Sequence, residues 1–301
     1  LVAQGGKVVP EVKSVLKSNN PLHRARAVWL LSKLDNKGVL EVENILKNEP
    51  DPRLRVVAYR ALKNNKDKLL KYASIAAEDP SADVRREVAI SLRDISWEKC
   101  SKIVVKLVEG YDGKDAWYLE ALGTAMDGKE EQAYMELVSH EPENPLEWSE
   151  AFAALVWRLH PKTSVSALKI QAKADGLPKD IRKKAVDALA FINDKSALVA
   201  MIELKEFDQN VEVQELASWW LNFRKTNDWF ELWDWNSENG IALKVPEKIA
   251  NLKRIVLNQK STKKEKLTAA NEMAKDISGG RLLIDMSANG KLSEELIAEV
   301  S

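Results

Sequence analysis

The chain has 301 residues, in which 46 Lys and Arg balance 46 Asp and Glu for a formal net charge of zero. That balance offers no global field to recruit nucleic acid or an anionic membrane, so no nucleic-acid partner and no direct membrane insertion are expected. With 45% hydrophobic and 31% charged residues but only 12 Gly and 10 Pro, the composition excludes a disordered chain and favours a helix-rich one; no apolar run reaches the roughly 18 residues of a membrane span.

Three early segments align: Asn20-Pro-Leu-His-Arg24, Asp51-Pro-Arg-Leu-Arg55 and Ser81-Ala-Asp-Val-Arg85. The column of Arg24, Arg55 and Arg85 continues through Ala116, Ser149, Arg182 and Gln214, a recurrence of about 32 residues that marks an internal repeat. Four residues before these anchors stand Asn20, Asp51, Ser81, Asp112, Pro145, Pro178 and Asn210. The Asn, Asp and Ser among them suit helix N-caps, and Pro21 and Pro52 suit a first turn. Apolar residues three and seven places after the anchors, such as Ala27 and Leu31, Ala58 and Leu62, or Ala217 and Leu221, form one helical stripe. Other amphipathic stretches precede these helices, at Val8 to Leu16, Val39 to Leu46, Leu69 to Ala77 and Ile103 to Val108. Each unit is thus predicted to be two antiparallel helices. One such pair cannot bury both apolar faces alone, so neighbouring pairs must stack. The expected fold class is all-α, an α-solenoid of about seven helix pairs over residues 1–226. The recurring arginines are expected to bridge successive repeats through carboxylates or carbonyls.

After Thr226 the period breaks, and residues 227–245 form a Trp-rich connector. Five of the ten tryptophans, Trp219, Trp220, Trp229, Trp233 and Trp235, fall within this short neighbourhood. The rings either seal the end of the solenoid or expose a platform for a partner protein or a saccharide. For the platform, the candidate interaction residues are Trp229, Trp233, Trp235, Arg224, Asp228 and Asp234. The expectation is that Trp219 or Trp220 is buried and that at least one of the other three rings stays partly exposed. Helical patterning resumes at Pro246 with Ile249, Leu252, Ile255 and Val256 on one face, and a second start is expected at Ser261. Shorter helices follow around Gly280 to Met286 and Leu292 to Val300, separated by Asn289-Gly290. Residues 246–301 are expected to dock on the solenoid, having little length for a core of their own.

Chemistry-bearing motifs are sparse. His23, His140 and His160 lie in different repeats, and Cys100 is the only cysteine. There is no Cys-x-x-Cys, no haem-attachment sequence, no Gly-x-Gly-x-x-Gly and no phosphate-binding loop. The run from Asp234 to Glu238 lacks the turn Gly of a calcium loop, having Asn239 there, and ends at Val245 where that loop needs Glu. No catalytic residue, cofactor-binding residue or metal ligand is therefore assigned.

The run Asp51-Pro-Arg-Leu-Arg-Val-Val-Ala-Tyr-Arg-Ala-Leu resembles the HEAT-repeat family, whose second helix opens in this way. Beyond that, Trp219-Trp220-Leu-Asn222-Phe-Arg224, then Asn227-Asp-Trp229 and Trp233, then Ala274-Lys-Asp-Ile-Ser-Gly279-Gly280-Arg-Leu-Leu283 and Gly290-Lys-Leu are similar to the region before the cytochrome in large planctomycete-type haem-binding proteins, often described as membrane-bound dehydrogenases. That resemblance covers most of the chain. It implies a propeller, a HEAT segment and a C-terminal c-type cytochrome in the parent, with covalent haem only in that other domain and a periplasmic or cell-envelope location. It carries over no catalytic residue. The implied role is a non-catalytic scaffold or interaction spacer whose partners are neighbouring domains of the parent chain or another protein. Leu1 in first place fits a piece of a longer chain. The alternatives are a HEAT-like DNA glycosylase and a HEAT-like bilin lyase or adaptor.

Overall fold

The computed structural model describes residues 2–233, 235, 247–258, 260–275, 277–288 and 291–300. Among these residues there are helices and turns and no strand. The chain divides into two compact units, 1–235 and 236–301.

In the first unit, seven helices alternate with seven others. The first of each pair are α1 (Val9–Val15), α3 (Asn36–Asn48), α5 (Leu69–Ala76), α7 (Trp97–Glu109), α9 (Glu130–Leu137), α11 (Val165–Lys173) and α13 (Lys195–Phe207). The second are α2 (Pro21–Leu31), α4 (Pro52–Leu62), α6 (Ala82–Ser91), α8 (Ala116–Ala125), α10 (Glu150–Leu159), α12 (Lys179–Phe191) and α14 (Val211–Arg224). The second helices form a continuous layer, each packing on the next from α2 to α14. In the other layer α3 packs on α5, α5 on α7, α7 on α9, and α11 on α13. The architecture is all-helical and α-solenoid-like.

The stripe at three and seven places after the anchors is buried in every second helix, from Ala27 and Leu31 to Ala217 and Leu221. Caps follow the sequence in part. Asn20, Asp51 and Asn210 accept bonds from Leu22, Arg53 and Glu212 backbone N–H groups. In the fourth and fifth repeats the helices start later than the anchor column implies. Asp112 accepts from Lys114 and Asp115 N–H in a turn that Gly113 completes at φ 78, and Asp115 is the cap of α8, accepting from Tyr118. That positive φ suits glycine. Asn144-Pro145 opens only a 3-10 turn, and Ser149 caps α10 by accepting from Phe152. Ser81 makes no side-chain cap bond.

The arginine column has a double task. Arg55 Nη1 donates to Glu49 O and Pro50 O at 2.7 and 3.1 Å, closing the end of α3, while Nε and Nη2 each meet Asp79 of the next repeat at 2.8 Å. Arg85 donates to Asp79 O and Pro80 O beyond α5, and reaches onward to Gly110 O and the Tyr118 hydroxyl. Arg182 donates to Ala172 O at the end of α11 and lies 3.7 Å from Asp208 of the following repeat. Helix-terminal carbonyls inside a stack lack intrahelical donors; an arginine from the paired helix supplies them, and Arg55 and Arg85 spend their remaining donors on the next repeat, whereas Arg182 Nη1 donates to Asp175 of its own repeat. Arg24 makes only the onward contact, to Asp51 at 3.4 Å.

The second unit contains α15 (Glu247–Leu257), α16 (Lys263–Ala274), α17 (Ile277–Ala288) and α18 (Glu294–Glu299). It has a core of its own, with Ile249, Val256, Ala269, Ala270, Met273, Leu283, Met286 and Leu296 buried together. The cap of α16 is Thr262 rather than Ser261, and it exchanges bonds with Glu265 in a capping box. A Cβ on Gly279 would fall 2.2 Å from Met273 O, so the tight approach at the α16–α17 turn requires glycine there. Pro246 and Asn289-Gly290 lie outside the described residues.

Candidate interaction surface

The six residues singled out at the end of the repeats meet different fates. Arg224, the last residue of α14, is buried; its Nε donates to Ala190 O at 2.6 Å, and its Nη1 pairs with Asp228. Trp229 donates from its backbone to Arg224 O, and its indole Nε1 donates to Ile192 O at 3.1 Å. Arg224 and Trp229 together close the C-terminal end of α12. Trp229 is fully buried, so it is a plug of the stack and not a platform ring. Trp235 is half-buried and donates to Trp229 O and Phe230 O at 3.2 and 3.0 Å, which pins the turn after α14. Trp233 is half-buried with the Lys195 ammonium 5.8 Å from its ring centre. Asp228 is exposed apart from its pairing with Arg224. Asp234 and residues 236–245 of the connector lie outside the described residues. Because residues 227–233 and Trp235 close onto α12 and α14, the first unit extends to Trp235 rather than ending at Thr226.

Phe230 of this segment is exposed, and further exposed rings stand on the helices. Trp157 on α10, Phe191 on α12, and Trp219 and Phe223 on α14 are 36, 47, 56 and 46% exposed. They belong to one chain of ring contacts. Trp157 meets His160 edge-on at 6.0 Å, and His160 stacks on Phe191 at 5.2 Å. Phe191 meets Trp220 at 5.4 Å, Trp220 meets Trp219 at 4.7 Å, and Trp219 stacks nearly parallel on Phe223 at 5.6 Å. Offset and edge-on geometries at these spacings are the favoured ones for aromatic pairs. Trp220 is half-buried and donates its Nε1 to Asp187 on α12 at 2.8 Å. Of the adjacent tryptophans, therefore, Trp219 faces solvent and Trp220 ties α14 to α12.

The sequence contained a signal for this face that the cluster count obscured. Trp219 is two residues after the buried Ala217, which places it roughly 200° around the helix from the core stripe, and Phe223 follows Trp219 by one turn.

His160 sits at the hinge of the ring chain in a left-handed conformation, φ 50, that ends α10. Burial, reinforced by the Arg158 and Arg224 charges, pushes its pKa down to about 4. It is neutral at physiological pH and serves as one more aromatic ring. Among the described residues no group of three or more His, Cys, Asp and Glu is arranged to hold a metal, and no helix is long and apolar enough to cross a membrane. Another groove runs over α4, α6 and α8, about 750 Å³ in volume, with Trp117 beside Arg60, Arg86 and Glu87. Its arginines are occupied: Arg60 pairs with Glu87, and Arg86 with Asp83 and Asp115.

No protein-family model matches the chain, and no curated protein matches it.

Proposed function

We propose that the chain is a HEAT-type repeat scaffold that performs no catalysis and serves as a docking spacer, with chemistry supplied by other domains or partners. The observation that carries this reading is the contiguous exposed aromatic face on α10, α12 and α14. A stack of this kind holds side chains from several repeats in fixed register, which is what an extended binding surface needs. The resemblance of the double-Trp and Gly-Gly segments to haem-binding dehydrogenase proteins supports a place between a propeller and a cytochrome in an exported redox protein. The C-terminal unit, in this proposal, leads from the scaffold toward the electron-transfer domain.

The test uses the purified chain immobilised as wild type and as the double variant Trp219→Ala, Phe223→Ala. The expected result is retention of a partner from a cell-envelope extract by the wild type alone, with melting temperatures equal within error. Equal retention by both forms would remove the docking face. A Soret band that survives denaturation, or dye reduction by the purified chain, would remove the non-catalytic assignment.

A further inference from the structure

The fourth and fifth repeats, whose second helices start late, enclose a cavity of about 230 Å³. The chain leaves α9 through the turn Val138–His140, packs Pro145–Glu147 against α11, and only then returns to begin α10 after Ser149. That detour leaves room beside α7. The walls are mainly apolar: Val105 and Val108 of α7, Leu137 of α9, and Ala151 and Phe152 of α10. Phe152 is held from behind, with Tyr134 stacked on it at 6.1 Å and Trp148 edge-on at 4.9 Å, so this wall is a fixed ring face.

One polar group on the lining has nothing to bond. Tyr111, just beyond α7, lines the cavity and is only 7% exposed. Its hydroxyl makes no hydrogen bond among the described residues, although the oxygen borders open space. Three other buried tyrosines are satisfied, Tyr59 by Ser91, Tyr72 by Glu43 and Tyr118 by Leu107 O. Tyr134 shares the lack of a partner but does not line the cavity. A buried hydroxyl without a partner calls for a physical explanation, and at Tyr111 there is space for one. Burial, reinforced by the Asp112 and Asp115 charges, pushes this phenol up, so Oη keeps its proton at neutral pH and can donate.

The other polar groups of the lining restrict the charge of an occupant. Glu141 accepts from the Ser149 N–H and Oγ, both at 2.9 Å, and Glu109 accepts from Lys106 at 2.8 Å. An anion would meet these two carboxylates. A cation would find them already engaged and would lie against the positive N-terminal end of α10. Both considerations favour a neutral molecule. An apolar cavity of about 150 Å³ accommodates benzene, so the space here suits one ring with a small polar substituent.

We infer that this cavity binds a neutral one-ring aromatic molecule carrying a single hydroxyl or carbonyl, with its ring against Phe152 and the two valines and its oxygen accepting from Tyr111 Oη. The inference stands apart from the docking reading and is tested without it.

The probe is p-cresol, compared with toluene, benzoate and benzylamine, and binding is read from the methyl resonances of Val105, Val108 and Leu137 in the full chain. The expected result is saturable shifts of these methyls by p-cresol at about millimolar concentration, with the methyls of Val28 on α2 unmoved. Toluene should bind about fivefold more weakly, and Tyr111→Phe should lower p-cresol affinity by the same factor while leaving toluene affinity unchanged, as expected for one neutral hydrogen bond. Because the Tyr111 hydroxyl bonds no described protein group, Tyr111→Phe should keep the wild-type melting temperature. Ala151→Leu, which fills the cavity, should abolish the shifts; if that variant does not fold, the Tyr111→Phe comparison still decides. Equal affinity of p-cresol and toluene, an unchanged p-cresol affinity in Tyr111→Phe, tighter binding of benzoate or benzylamine, or no shift at 10-fold higher concentration would overturn the inference.

Discussion

Replacing Arg55 by Ala removes four hydrogen bonds at the junction of the second and third repeats and leaves Asp79 buried with only the Ser81 N–H as partner. Both side chains of the pair are nearly sequestered, at 10 and 6% exposure. Removing one member of a buried ion pair costs about 3–5 kcal/mol, because the partner charge stays desolvated. Arg24→Ala is the internal comparison: its one contact, 3.4 Å to Asp51, is shared with Arg53 and is more exposed, so the expected loss is below about 1 kcal/mol. Because stacked repeats contribute through nearest-neighbour interfaces, the damage should be local. Urea unfolding followed by circular dichroism gives the size, and hydrogen exchange gives the place: amides of α4, α5 and α6 should lose protection while those of α12 to α14 keep it. Asp79→Ala combined with Arg55→Ala should cost less than the sum of the single changes, since neither charge is then stranded. If Arg55→Ala costs no more than Arg24→Ala, or if protection falls evenly along the stack, the capping role assigned to the arginine column is wrong.

Trp229→Ala should cost about 3–5 kcal/mol as an aromatic core deletion, whereas Trp219→Ala should stay within about 0.5 kcal/mol as a surface change; equal losses in thermal unfolding would refute the distinction between plug and exposed ring. His160 has a folded pKa lowered to about 4 from 6.5, so the unfolded chain binds more protons between those values and stability is complete above about pH 6.5 and is lost as pH falls toward 4. Discounted for partial exposure, that loss is about 2 kcal/mol, and His160→Asn, which accepts the left-handed backbone, should flatten the curve; parallel pH–stability curves for the two proteins would count against it. Lys129 is buried with its ammonium 2.8–3.0 Å from Leu92, Arg93 and Ile95 carbonyls, so Lys129→Met should destabilise by roughly 3 kcal/mol and speed thiol labelling of the buried Cys100, whose own pKa is raised by burial; an unchanged labelling rate would show that this cap is dispensable.

The helix pairs were legible because each rests on a local rule: an apolar stripe, a cap and a first-turn proline recur in the sequence and recur in space. The same rules misplaced the starts of α8 and α10. Asp112 satisfies every criterion of a cap by type and position, but Asp115 and Ser149 are the residues whose side chains reach the free N–H groups, and choosing among nearby candidates takes the path of the preceding turn. The tryptophan segment was illegible for a different reason. Trp229 is buried because carbonyls at the end of α12 happen to lie where its indole can reach them, a fact of tertiary position that no window of sequence around residue 229 contains. Trp219, by contrast, could have been placed on the outer face from its offset to Ala217 and Leu221. The core of the second unit was also readable in part, since Ile249, Leu252 and Val256 repeat at helical spacing; its closure depends on Met273, Leu283 and Leu296 arriving from separate helices.

One requirement separates the polar and aromatic side chains that the repeats bury from the rings that they leave exposed. Stacking helix pairs drives helix C-termini into the interior, where each free carbonyl needs a donor. Arg55 meets that need for α3 and Arg182 for α11, while Gln214 does so beyond α13 through Asp208 O at 2.6 Å. Where the fourth repeat lacks an arginine, the Tyr118 hydroxyl reaches Leu107 O and Lys129 reaches back to the end of α6. At the last turn of α12 the donors are Arg224 and Trp229. These side chains are committed to carbonyls, and their burial follows from that commitment. Trp157, Phe191, Trp219 and Phe223 cap no helix end among the described residues and stay 36–56% exposed. Exposed aromatic area is costly in water, and here it is neither buried by the repeats nor used to cap them. A contact outside the unit would recover that cost, which is the physical argument for the docking face proposed on α10, α12 and α14, with the Arg224–Trp229 corner as the structure beneath it.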